Sequence, residues 1–99
     1  MPVSFQPSKY GVTVLSKYTS QSGKWIVFLG SHYDGKTQCW DVGYFNILNG
    51  QTMRHHWNKL GQDKDRQEAM LAFEEVKDKL SKLTHPGDDK DEYTIIKPN

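Results

Sequence analysis

Residues 44–57, YFNILNGQTMRHHW, run one aromatic segment into Asn49-Gly50 and a second segment out of it. Asn-Gly between alternating apolar positions is the strongest short-range hairpin signal, because a two-residue type I′ turn needs positive φ at both central residues. Asp34-Gly35 repeats the signal upstream, and SQSG at 20–23 supplies a third reversal. Between these punctuation points the chain is rich in Val, Ile, Thr, Tyr and Trp, the residues that suit a pleated, half-buried surface. The spacing predicts four antiparallel strands in a meander, near 10–19, 24–33, 36–48 and 51–60.

The period changes after Gln62. Met70, Phe73, Val76, Leu80 and Leu83 recur at intervals of three and four, the stripe of an amphipathic helix. Asp65 with Glu68 reads as a capping box that opens the helix at about 65. Glu75 with Lys79 and Asp78 with Lys82 are favourable i, i+4 pairs. Pro86 ends the helix near 83, since the residue before proline is pushed out of the α region. The expected fold is therefore α+β: a four-stranded antiparallel sheet with one C-terminal helix packed on one face. Residues 1–99 read as one domain, with an N-terminal arm at 1–9, the meander at 10–60, the helix at 65–83 and an acidic loop and tail at 84–99. Within that tail YTII, 93–96, reads either as a short edge strand or as a frayed end.

Two-residue turns would fix the register. Pairing about Asp34-Gly35 and Asn49-Gly50 gives one face the rows Trp25, Tyr44, His55, then Val27, Val42, Trp57, then Leu29, Trp40, Lys59. Met53 lies near its end, and Val12 and Val14 join it from the first strand. That face is nearly all apolar and is expected to lie beneath the helix. The opposite face takes the rows Ile26, Gly43, His56, then Phe28, Asp41, Asn58, then Gly30, Cys39, Leu60, with Phe45 opposite Arg54 and Lys17 alongside. Arg54 and His56 thus point outward while His55 and Trp57 point inward, because neighbouring strand residues project to opposite sides.

Charge is divided unevenly along the chain. Residues 1–60 carry six Lys/Arg against two acids, residues 61–99 carry seven against ten, and ten of the twelve aromatics fall in the first sixty. An outer sheet face that mixes aromatic rings with basic and amide side chains is how several single-strand binders stack bases and hold phosphates. The expected function is a non-enzymatic nucleic-acid-binding module, single strands ahead of duplex, using Phe28, Phe45, Arg54, His56, Lys17, Asn58 and Asp41. The alternative is a protein-interaction module, an inhibitor or adaptor of the kind viruses encode, or a homodimer through the same face. In layout alone the meander-plus-helix resembles single-strand-binding coactivator-type domains and, more loosely, phage-integrase arm domains. A whole strand at 51–60 separates it from the latter, and no residue role carries over.

Spacing argues against other chemistries, save a metal site that two chains build together and an enzyme resting on Asp41 and His56 alone. Adjacent His55 and His56 cannot share an ion, and His32 and His56 fall in rows six residues apart, about 20 Å at the usual strand rise. No metal or cofactor is expected. Asp41 and His56 are diagonal neighbours without a nucleophile or oxyanion donor, so no catalytic residue is assigned. Glycines 30, 35, 43 and 50 lack the strand–loop–helix setting of a phosphate loop. Cys39 is the only cysteine and reads as a small buried apolar residue. With no apolar run of membrane length and no leader-like N-terminus, the chain is expected to be cytoplasmic.

Overall fold

A computed structural model describes residues 3–83 and Ile96. A short 3₁₀ turn at Pro7–Tyr10 precedes four strands, β1 (Thr13–Thr19), β2 (Trp25–Tyr33), β3 (Gln38–Asn46) and β4 (Thr52–Trp57), and the helix α1 (Gln62–Ser81). The strands form one antiparallel sheet in the order β1-β2-β3-β4, and α1 lies across β2, β3 and β4 on one face. This is the expected α+β meander with its C-terminal helix. Of the stretch YTII, 93–96, expected as an edge strand or a frayed end, only Ile96 is among the described residues, and it is buried in the core.

The register differs from the turn-based reading by two residues at each hairpin. Tyr33 pairs with Gln38 and Trp40 pairs with Trp57. Type I′ turns are excluded by the backbone, because among the described residues only glycines adopt positive φ. Four-residue loops replace them. Asp34 Oδ1 accepts the N–H of Lys36 and of Thr37, each at 2.8 Å, and so closes the first loop as an Asx turn. In the second loop Asn46 Oδ1 accepts from Leu48 N and Asn49 Oδ1 from Gln51 N, and Gly50, at φ 76°, takes the left-handed position.

A slip of two leaves every side chain on its face but changes its neighbours. The inner rows become Val27–Tyr44–Met53, Leu29–Val42–His55 and Ser31–Trp40–Trp57. Trp25, Val27, Leu29, Val42 and Tyr44 form the core with Ala69, Phe73, Leu80 and Ile96. Met70 was expected in the helix stripe and is instead exposed, because Ala69 occupies the inward position of that turn. Val12 departs from expectation too. A bulge between Val14 and Ser16 reverses the alternation of β1, and Val12 packs on the outer face over Gly30.

The helix begins three residues earlier than its sequence signal. Gly61 stands at the N-cap, and Asp65 lies inside the first turns rather than capping with Glu68. Its buried carboxylate reaches back to accept the N–H of Lys59, Leu60 and Gly61 at 3.0 to 3.2 Å. The two i, i+4 pairs form as read, Glu75–Lys79 and Asp78–Lys82, each at 3.0 Å.

Candidate functional site

The outer sheet face divides into a covered apolar sector and an open polar one. In the covered sector the N-terminal arm crosses Phe28 and Phe45. Val3 N donates to Ile47 O at 2.6 Å, and the Phe5 ring sits on both Phe28 and Phe45. Phe28 and Phe45 are consequently 1% and 4% exposed. This corrects the expectation that they stand open as stacking platforms: the arm makes them a second apolar layer.

Arg54 opposes Gly43 in the row that begins with Phe28, and its side chain lines the cleft of about 100 Å³ beneath the arm together with Val3, Phe5 and Thr52. Its buried Nη1 has no hydrogen-bond partner among the described residues. The absence of a Cβ at Gly43 makes this row possible, since one would stand 2.8 Å from Phe28 Cζ and 3.0 Å from Arg54 Cγ. Lys17, opposite Phe28 on β1, is exposed.

The open sector is built by the rows Gly30–Asp41–His56 and His32–Cys39. Asp41 is completely buried, yet both its oxygens are satisfied. His32 Nδ1 meets Oδ2 at 2.6 Å, and His56 Nδ1 hydrogen-bonds Oδ1. The two imidazoles converge on one carboxylate with ring centroids 5.0 Å apart. The expected separation of about 20 Å between His32 and His56 is thus overturned by the four-residue loops, which move the two strands past one another and place the rings diagonally about Asp41. Asp41 and His56 are directly opposed rather than diagonal.

No protein-family model matches the chain. Comparison with curated proteins and with solved structures also found no match.

Beside the cluster, Cys39 is buried, and burial pushes its thiol pKa above the ordinary value, against the opposing effect of Asn58 Nδ2 donating to Sγ at 3.6 Å. Asp34, at the adjoining turn, has its pKa held below the usual carboxylate value by the backbone N–H groups of Thr37 and Lys36. Of the predicted site residues, the fold brings Asp41 and His56 into contact, places Asn58 against Cys39, and sets Phe28, Phe45 and Arg54 under the arm with Lys17 at the rim of the face. They do not form one plate. His32, which is not among the predicted site residues, belongs to the cluster. Its signal was the Asx-capable Asp34 with Thr37, which lengthens the turn and draws His32 level with Cys39. Among the described residues no helix is long and apolar enough to cross a membrane.

Proposed function

We propose that the chain is a small non-enzymatic binding module for a polyanion, nucleic acid, engaged by the sheet half through phosphate contacts rather than base stacking. The observation that carries this reading is Arg54, a half-buried residue on the outer face whose buried Nη1 has no acceptor among the described residues. A cationic donor removed from water and left unpaired is costly, and an anionic oxygen is the partner it lacks.

The charges around it support the same partner. Asp41 is enclosed between two imidazoles, and Asp34 turns its carboxylate onto its own loop's backbone. Both acids of the first sixty residues are thus occupied internally, whereas Lys17, Lys36 and Lys59 are exposed and, among the described residues, make no ion pair. With Phe28 and Phe45 covered by the Phe5 ring, stacking on them no longer favours single strands over duplex.

Fluorescence anisotropy with single-stranded and duplex oligonucleotides, at low and physiological salt, tests the reading. Wild-type binding should weaken steeply with salt, and a folded Arg54→Ala/Lys17→Ala variant should lose about two phosphates' worth of that slope. No binding at low salt would overturn the proposal and leave the outer face as a protein interface.

A further inference from the structure

We infer that His32, Asp41 and His56 form a binding site for one divalent transition-metal ion, zinc or a close borderline relative such as cobalt, on the open sector of the outer face. One nitrogen from each imidazole and one carboxylate oxygen lie within 4.8 Å of one another. They come from three adjacent strands, β2, β3 and β4, so their positions are set by the sheet ladder rather than by a loop.

The donor set selects the ion class. Two neutral imidazoles and one carboxylate suit zinc and its neighbours, whereas calcium and magnesium prefer sites built wholly of oxygen. Geometry is close to what a metal needs. Ligand atoms around an ion with bonds of about 2.0 to 2.1 Å stand about 3.0 to 3.4 Å apart, and His32 Nδ1 is 2.6 Å from Asp41 Oδ2. Seating the ion requires this contact to open by under about 1 Å, any donor pair near the 4.8 Å limit to draw together, and a proton held between ring and carboxylate to leave. His56 retains 43% side-chain exposure, which gives the ion a route in and leaves room for water or an outside ligand at a remaining position.

The site stands apart from the phosphate-binding reading, which rests on Arg54 and Lys17. A purely structural role would use the imidazoles only to satisfy a buried carboxylate, and it predicts no specific affinity for metal.

The test uses tag-free, chelator-treated full-length protein titrated with zinc by calorimetry and with cobalt by visible absorption. One ion per chain is expected, with cobalt ligand-field bands and a rise in melting temperature as the ion is added. His56→Ala changes an exposed ring and should weaken zinc by about 100-fold or more, while His55→Ala, next in sequence but on the opposite face, should change it by less than about threefold. His32→Gln and His56→Gln check that the loss follows the ligand atom and not the volume. Absence of a one-to-one zinc isotherm in the wild type at about 100 µM protein would overturn the inference. So would binding that survives His56→Ala and His56→Gln unchanged.

Discussion

The Phe5 ring lies 5.3 Å from the Phe28 ring at an interplanar angle of 41°, and it holds the same distance and angle to Phe45. One side chain from the N-terminal arm therefore closes two aromatic positions of a sheet face that would otherwise meet water. Its own ring is half-buried, so truncation should cost less than the 3 to 5 kcal/mol typical of a fully buried phenylalanine. Phe5→Ala is expected to lower stability by about 1 to 2 kcal/mol and to raise binding of an apolar fluorescent dye. Urea unfolding with a parallel dye titration measures both. An unchanged midpoint together with unchanged dye binding would show that Phe28 and Phe45 do not depend on the arm.

Asp65 fastens the link between sheet and helix. Three consecutive backbone donors, on Lys59, Leu60 and Gly61, end on its carboxylate. Asp65→Ala leaves all three without that acceptor and should destabilise the fold by about 2 to 3 kcal/mol, since bonds to a charged acceptor are worth about 1.5 to 3 kcal/mol each and water can reach part of this loop. Asp65→Asn keeps one oxygen and should lose roughly half as much. Chemical denaturation of the two variants beside wild type gives the comparison. Equal losses would mean that charge rather than geometry makes the clamp.

The element order and both faces of the sheet were legible because strand alternation survives any register error of two residues. Trp25, Val27, Leu29, Val42 and Tyr44 could be placed under the helix from their parity alone. What parity could not supply was which residues stand beside one another. The side chains of Asp34, Asn46 and Asn49 each lengthen a loop by accepting backbone N–H groups, and that competition with the two-residue turn leaves no periodic trace. The candidate site paid for it most, since the convergence of His32 on Asp41 and His56 depends wholly on register. The bulge at Val14/Ser16 and the arm over Phe28 were hidden for a related reason: both are tertiary choices made by irregular backbone.

Gly43 marks the closest approach on the outer face. An added Cβ would stand 2.4 Å from Met53 O, a backbone atom of the neighbouring strand that cannot swing aside. Gly43→Ala should therefore separate β3 from β4 locally and cost about 3 kcal/mol, the upper end for overpacking a tight site. Gly35→Ala, at φ 96°, has open space around it and pays only for backbone conformation, about 1 kcal/mol. Thermal melts of the two variants should rank Gly43→Ala well below Gly35→Ala. The reverse order would show that β4 is not held against β3 at this row.

The Asp34 turn makes a pH-dependent contribution whose sign follows from its hydrogen bonds. The N–H groups of Thr37 and Lys36 favour the ionised carboxylate, so its pKa in the folded chain lies below its ordinary 3.8. A depressed carboxylate stabilises the fold fully above the unfolded pKa and loses that contribution as pH falls through the folded value. The stability gap between wild type and Asp34→Ala should thus be level from neutral pH down to about pH 5 and narrow below about pH 4. Urea midpoints of both proteins across that range measure it. A gap that stays constant into strong acid would mean that the Asx turn is held without the charge, by the neutral side-chain oxygen alone.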